Sequence, residues 1–497
     1  MADTLSNDDG LPLTSLYING TYRPASTSAT FPVTNSYTGR IVGHSASASS
    51  SDCVEAVEAA QGAFPAWESA PLAFRRDVLL RTAAILEGEE WKEKAMRALK
   101  EETSSTEGWA LMNVLSGPGS LRNVAGMVNE LKGDTFPSVN QGGTVFVHRR
   151  GQGVVFSIIP WNGPVTLTAR GVAIPLICGN TVVCRPSEYS PRIIGLMVDA
   201  FHQAGLPPGV LNFVPMSRDE SPTLIQQIIA HPLVRKITFT GSDRVGRIIA
   251  AEAGRHLKPC LLELGGKAPA VILEDANIED AARSLIFGGL LNSGQICMST
   301  ERIIVLRPAL SALLTSLKTH ISHLKLGSPF EPSNHLSALF TEASAENVVR
   351  LLRDARDKGA ELIVGDATRE GAMVRPHLVV GVRPGMELWE RESFGPILAI
   401  AVVDTVDEAV ELANDSEYSL VSSLWTTNVH KAFEVGSRIR AGSVNINGTT
   451  MNSEAGEGQA GLGGSSGYGK FNVENFTDRR SLILHAEHES YPFMGLS

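Results

Sequence analysis

Cysteine is scarce in this 497-residue chain: Cys53, Cys178, Cys184, Cys260 and Cys297 are the whole set, with no CxxC pair. An odd and sparse set excludes a disulfide framework and the usual structural zinc sites, so no metal is expected. It suits a reducing compartment, and a cytoplasmic location is expected. Positive charge is also short. The formal net charge is -10 and the sequence pI about 5.7, which argues against nucleic acid as a partner, because a phosphate backbone demands a basic surface. A nucleotide cofactor is not excluded by this balance, since helix N-termini and Gly loops hold phosphate without net positive charge. Long apolar runs are missing too. The most apolar stretch, 154–183, is interrupted by Pro160, Asn162, Pro164, Arg170, Pro175 and Asn180, so no membrane partner is expected. The N-terminal MADTLSNDDGLPLTS has neither a basic nor an apolar signal region, and Gly495-Leu496-Ser497 is not a usual peroxisomal address. No fixed-period repeat and no uniform linker divides the chain.

What is present reads as globular: 43% hydrophobic and 19% charged residues, in a chain long enough for two to four structural units. A helical pattern starts at Asp52, where Asp52 and Glu55 resemble a capping box and Val54, Val57 and Ala60 form one stripe. A second amphipathic run covers 74–86. Short β-rich runs then recur at 154–159, 181–184, 211–214, 236–240, 270–273 and 302–306, with room for helices between them. Such alternation predicts βαβ units, a parallel sheet and an α/β fold of two domains with a cleft between them. The Gly- and Ser-rich segment 456–469 reads, by composition, as a surface loop.

Four short segments have the chemistry of a site. Cys297 follows Asn292-Ser293-Gly294-Gln295-Ile296, a turn-like context in which a thiol gains access to a base or a helix N-terminus. A lone Cys also reads as a small buried hydrophobe. Glu263 stands between two leucines and precedes Gly265-Gly266; burial suits such a carboxylate to general-base work, and a salt bridge at a strand end is the other reading. Pro160-Trp161-Asn162 closes a strongly β run, where the Asn amide either donates to an oxyanion or makes a turn. Thr240-Gly241-Ser242, with Val245-Gly246 after it, fits a pyrophosphate site at a helix start, although it is not the GxGxxG fingerprint.

Taken together and in order, these segments resemble the aldehyde dehydrogenase superfamily. The likeness runs from about 16 to 484 and rests on PWN at 160–162, RPSE at 185–188, GLPPGVLNFV at 205–214, FTGS at 239–242, LELGGK at 262–267, NSGQIC at 292–297 and ESFGP at 392–396. It implies that Cys297 attacks an aldehyde carbon, that the Asn162 amide and the Cys297 backbone N–H hold the oxyanion, and that Glu263 activates water to hydrolyse the resulting thioester. For the cofactor it implies contacts from Ile159, Pro160, Trp161, Arg185, Ser187, Glu188, Gly241, Ser242, Val245, Leu264, Gly265, Glu392 and Phe394. The implied architecture is a Rossmann-type cofactor domain (1–132 and 153–265), an α/β catalytic domain (266–465) and a β bridging element (133–152 and 481–497). The last of these joins subunits in the family, so a homodimer or homotetramer is expected.

Three departures from the family pattern matter. Arg185 stands where many members have Lys, and a planar fork is not equivalent to an ammonium. Glu188 would bond the ribose hydroxyls of NAD and repel the 2′-phosphate of NADP; NAD is expected, with NADP possible because of Arg185. Leu462, in Gly461-Leu462-Gly463-Gly464, replaces a Phe near the nicotinamide and substrate. The run 446–455 and SSGYGKF at 465–471 resemble the branch with salicylaldehyde and vanillin dehydrogenases. Trp109, Gly163, Leu167, Arg170, Ile296 and Leu462 are the substrate-side candidates. Arg170, two helical turns after Asn162, either bonds a ring substituent or pairs with a nearby carboxylate. An aromatic aldehyde is therefore the expected substrate. The alternatives are an aliphatic aldehyde or semialdehyde, and a non-catalytic NAD-binding member. A CoA-acylating enzyme is disfavoured by Glu263, since thiol exchange needs no such base.

Overall fold

The computed structural model describes residues 9–452 and 461–487. All six β-rich runs are strands, at Val154–Ile159, Thr181–Pro186, Leu211–Phe213, Val234–Thr240, Ala268–Ile272 and Thr300–Leu306. Nearly every residue in them is buried, as expected where helices cover both faces of a parallel sheet.

The first sheet has the order Gly467–Tyr468, Cys260–Glu263, Val234–Thr240, Val154–Ile159, Thr181–Pro186, Leu211–Phe213, Leu16–Ile18, Thr21–Arg23. Its five inner strands are parallel. The chain starts at Val154–Ile159, moves outward through two strands, then returns to build on the other side. The reversal lies between Val154–Ile159 and Val234–Thr240, and a ligand crevice is expected at the carboxyl ends of such a pair. Pro160-Trp161-Asn162 and Gly241-Ser242 stand at those two ends.

The second sheet has the order Glu361–Val364, His377–Val380, Ile397–Val403, Thr300–Leu306, Ala268–Ile272, Val421–Trp425, Ser443–Ile446, parallel except at its first pair. The chain passes from the first sheet to the second between Glu263 and Ala268. A third, antiparallel sheet pairs Asp134–Pro137 with Thr144–Gly151 and the latter with Thr477–Leu484. Its outer strand exposes Leu482, Ile483 and Leu484. A small sheet of Leu13–Thr14, Ile41–Ala46 and Thr30–Thr34 completes the set among the described residues. No described helix is long and apolar enough to cross a membrane.

Three local expectations are corrected. The first long helix, Ser50–Glu68, is capped by Ser49 and not by Asp52. Asp52 is the third helical residue and reaches back to the Ser49 N–H at 2.9 Å, while the Ser49 hydroxyl accepts from the Asp52 N–H at 3.2 Å. Such a reciprocal cap is worth about 1 kcal/mol. Glu55 pairs instead with Arg23 at 2.6 Å.

The Gly- and Ser-rich run is not a surface loop in its described part, 461–469; the remainder, like Ser453, Glu454 and Ala455, lies outside the described residues. Ser465, Ser466 and Gly467 are buried. The Leu264 N–H donates to the Ser466 carbonyl at 3.2 Å, and the Ser466 hydroxyl donates to the Gly265 carbonyl at 2.7 Å. Gly467 has φ of 78°, and a Cβ there would meet the Leu262 carbonyl at 2.1 Å. Glycine is used here for close backbone approach, which composition does not distinguish from flexibility.

Finally, the helix after Asn162 is not regular. Pro164–Thr168 is α-helical, Ala169–Ala173 is a π turn and Ile174–Ile177 is α-helical again. Gly171 faces the Val154–Ile159 strand, where a Cβ would lie 2.6 Å from the Ile159 side chain. The π turn changes the helical phase at Arg170, so two plain turns of α-helix do not describe its position.

Candidate active site

Glu263 ends its strand in register with Thr240 of the neighbouring strand. It is 1% exposed. One carboxylate oxygen, Oε1, accepts from the Cys297 thiol at 3.3 Å. The other, Oε2, accepts from Arg170 in a tight ion pair and from the Thr240 hydroxyl at 3.4 Å. Of the two readings of Arg170, the contact with a carboxylate is therefore the one formed. Its guanidinium lies over the Phe471 ring at 4.4 Å.

Cys297 is carried by an unusual turn. Asn292, Ser293 and Gly294 have φ of 51°, 56° and 77°. Three successive left-handed residues are costly, by about 1–2 kcal/mol for each non-glycine, and the surroundings hold them in place. The Ser293 hydroxyl donates to the Ser337 carbonyl at 2.8 Å, and the Gln295 side chain spans the Asn292 carbonyl and the Phe340 N–H. A Cβ on Gly294 would collide with the Gly395 carbonyl, and one on Gly266 with the Cys297 carbonyl, each at about 2 Å. Ile296, which precedes Cys297, is buried.

The Asn162 side chain donates to the Gln295 carbonyl at 3.1 Å. An amide nitrogen carries two hydrogens, so this bond orients the second one within the cysteine turn. The Asn162 carbonyl in turn accepts from the Trp109 indole at 2.9 Å. Gly163 follows, with the Leu167 side chain 3.5 Å from where a Cβ would be.

Burial pushes the Cys297 thiol up to about 11; Arg170 opposes that shift and the Glu392 carboxylate adds to it. The thiol is thus protonated at neutral pH, and a nucleophilic role would require its proton to be taken. Alkylation of Cys297 by iodoacetamide should accordingly speed up about tenfold per pH unit until near pH 11. A plateau beginning near neutral pH would instead mean a standing thiolate.

On the far side of Cys297 lies the turn Glu392-Ser393-Phe394. Glu392 accepts from the Gly266 N–H at 2.8 Å, and a Cβ on Gly265 would meet its carboxylate at 2.6 Å. Burial, with the Glu301 carboxylate behind it, pushes Glu392 up to about 8. Phe394 has φ of 49° and stands edge-on to Trp161, which stacks on Phe340 at 4.3 Å. These groups border a cavity of about 320 Å³ lined by Tyr189, Phe340, Ser344, Asn347, Glu392 and Phe394.

Glu301, buried behind the turn, accepts from the Ser393 N–H at 2.9 Å and the Phe394 N–H at 3.1 Å, and pairs with buried Lys267 at 2.5 Å. It pins the left-handed Phe394. Glu301→Ala should weaken binding of the expected dinucleotide about tenfold or more, read by the fluorescence of its reduced form, with the alkylation rate of Cys297 unchanged. Equal dinucleotide affinity in the two proteins would show that the turn holds itself.

The remaining cofactor candidates spread along the carboxyl edge of the first sheet. Arg185 bonds Glu188 at 2.9 Å and the Ser221 hydroxyl at 2.7 Å. The Ser187 hydroxyl accepts from the Tyr189 N–H at 3.3 Å. Ser242 precedes the helix Asp243–Arg255. Gly241 and Gly246 leave room there: a Cβ would press on the Phe239 ring and on the Leu264 side chain, respectively. Val245 packs on the core beneath that helix, and Ile159 and Leu264 lie within the core. A helix start at a switch point, a carboxylate and stacked aromatic rings fit an elongated dinucleotide. The Leu462 backbone is tied to Ser419 and Arg440, and the residue is half exposed.

Sequence reasoning missed Thr240, Phe340, Phe471 and Glu301. Thr240 and Phe471 lay inside quoted motifs, so only their partners were hidden. Phe340 sits in a segment without a motif, and nothing local marks it.

Residues 22–482 match the model of the aldehyde dehydrogenase family, and the chain belongs to that family: it is an aldehyde dehydrogenase. Within the family it is 40% identical to vanillin dehydrogenase of Pseudomonas sp. (strain HR199 / DSM 7063), over 96% of this chain and 99% of that protein. It is 36% identical to salicylaldehyde dehydrogenase of Pseudomonas putida, over 97% and 100%. The crystal structure of a salicylaldehyde dehydrogenase from Pseudomonas putida G7 complexed with salicylaldehyde has the same fold, with a TM-score of 0.94 at 35% identity over 97% of this chain and 100% of that one.

Proposed function

We propose that this enzyme oxidises an aromatic aldehyde, of the salicylaldehyde, vanillin or benzaldehyde type, to its carboxylic acid with NAD. The observation that carries the reading is the contact of Cys297 Sγ with Glu263 Oε1 at 3.3 Å, beside the oriented Asn162 amide. Glu263 takes the thiol proton as sulfur adds to the carbonyl carbon, and releases it to solvent. Asn162 and the Cys297 backbone N–H hold the alkoxide of the thiohemiacetal. NAD, when bound, supplies the acceptor for the hydride that leaves this carbon, and a thioester on Cys297 remains. Glu263 then deprotonates a water, which adds to the thioester; the acid departs and the thiol is restored.

Trp161, Glu392 and Phe394 would hold the nicotinamide half of the cofactor, Gly241, Ser242 and Val245 the pyrophosphate, and Arg185, Ser187 and Glu188 the adenosine half. Arg185 is bonded to Glu188, which lessens the charge facing a 2′-phosphate, so slower turnover with NADP is expected. Segments 1–132 and 153–265 would form the cofactor domain, 266–465 the catalytic domain, and 133–152 with 481–497 the bridging element. The exposed Leu482-Ile483-Leu484 edge supports pairing between subunits of a homodimer or homotetramer. All five cysteines are free, in keeping with a cytoplasmic home.

The test is formation of reduced nicotinamide with NAD and with NADP across aromatic, aliphatic and carboxylated aldehydes. Preferential turnover of benzaldehyde-type substrates with NAD is expected. Turnover confined to aliphatic aldehydes or semialdehydes would discard the aromatic reading and leave the chemistry at Cys297 standing.

A further inference from the structure

Asn113 lies one helical turn after Trp109 on the helix Glu107–Gly126 and is 2% exposed. Its amide nitrogen donates to the Trp109 carbonyl at 3.1 Å. That bond fixes which end of the amide is which, because only the nitrogen donates. The other end, Oδ1, is buried and accepts no hydrogen bond among the described residues. An unmet buried acceptor costs about 1–3 kcal/mol and calls for a partner.

The position of this oxygen suggests which partner. It stands 3.8 Å from where a Cβ on Gly163 would be, with the Leu167 side chain 3.5 Å from the same point. Gly163 directly follows Asn162, whose carbonyl is held by the Trp109 indole. A Cβ at 163 would meet only ordinary contacts, so the bare backbone of Gly163, next to Asn162, faces an apolar side chain and one unpartnered carbonyl oxygen. An aromatic ring laid against Gly163 and Leu167 would lie beside that oxygen. A hydroxyl on that ring would give the oxygen its donor.

We propose that Asn113 is a specificity-determining residue whose Oδ1 accepts a hydrogen bond from a ring hydroxyl, so that the preferred substrates are hydroxylated aromatic aldehydes. This rests on the aromatic reading above. No proton is transferred: the ring O–H donates and stays protonated. Benzaldehyde leaves the acceptor unmet, and a methoxy group, which has no hydrogen to give, leaves it unmet as well.

The experiment compares kcat/KM for benzaldehyde, the three hydroxybenzaldehydes and the three methoxybenzaldehydes, in the parent enzyme and in Asn113→Leu. In the parent, at least one hydroxy isomer should exceed its methoxy counterpart by about tenfold or more. In Asn113→Leu that isomer should fall about tenfold or more toward the methoxy value, with benzaldehyde changed by no more than about twofold. A uniform loss across the panel would mark Asn113 as structural and overturn the proposal, as would an unchanged preference. Should the variant not fold, the parent panel alone decides: equal kcat/KM for hydroxy and methoxy isomers at every ring position overturns it. If the parent oxidises aliphatic aldehydes and no aromatic one, the aromatic reading and this proposal fall together. If it oxidises benzaldehyde without favouring hydroxyl groups, only this proposal falls.

Discussion

Cys297→Ala is expected to lower kcat by on the order of 10⁴ or more while NADH affinity stays within about twofold. The first half follows from chemistry. An aldehyde does not readily give up hydride as it stands, whereas its thiolate adduct does, and no other cysteine reaches the site. Cys53, Cys178 and Cys184 are buried, with thiols pushed up to about 12 by that burial, and Cys260 is pushed up to about 11 and lies at the start of the strand that Glu263 ends. The second half follows from placement. The cavity bordered by Glu392 and Phe394 is built from segments that do not use the Cys297 side chain. Steady-state turnover and NADH fluorescence titration, run on the same preparations, check both halves. Substantial turnover in the variant would remove Cys297 from the reaction.

Arg170→Leu should lower kcat by roughly 10²-fold or more and lower the thermal midpoint as well. Arg170 holds one oxygen of Glu263 inside the protein, and removing one partner of a buried ion pair costs about 3–5 kcal/mol. The effect extends to the nucleophile. Arg170 is the largest of the influences that hold the Cys297 thiol down against burial, ahead of the backbone N–H groups of Cys297 and Met298. Its loss pushes the thiol above about 11, so at any lower pH less thiolate is present and alkylation by iodoacetamide slows. The sign is definite: the alkylation profile moves to higher pH, never lower. Combining Arg170→Leu with Glu263→Leu should recover part of the lost stability and none of the activity, because the unpaired charge is gone and so is the base. A profile that stays in place in Arg170→Leu would mean that Arg170 serves Glu263 and has no influence on the Cys297 thiol.

The parallel sheets and their switch point were readable because βαβ alternation leaves buried β-rich runs that stand out from the helices between them. The three candidate catalytic residues stand out only in combination: Cys297, Glu263 and Asn162 each had an ordinary reading until the order of motifs joined them. What stayed hidden depends on distance in sequence. The pairing of Arg170 with Glu263 spans 93 positions and relies on a π turn that no local pattern announces. Glu301 reads as one more charge at a strand start, yet it is buried and pins Phe394, 93 residues later. Glycine was the least legible residue. At 467 it permits two backbones to touch, and composition alone took that run for a loop.

The most direct measurement is mass spectrometry of Glu263→Gln mixed with NAD and a benzaldehyde-type substrate. Gln keeps the size of Glu263 and cannot take a proton from the thiol or from water, so the reaction is run at alkaline pH, where the thiol ionises without that base and acylation outruns hydrolysis. The expected result is a burst of reduced nicotinamide of about one equivalent per active site, with the acyl mass on the peptide that carries Cys297. Full steady turnover with no adduct on that peptide would contradict a Cys297 thioester resolved by Glu263.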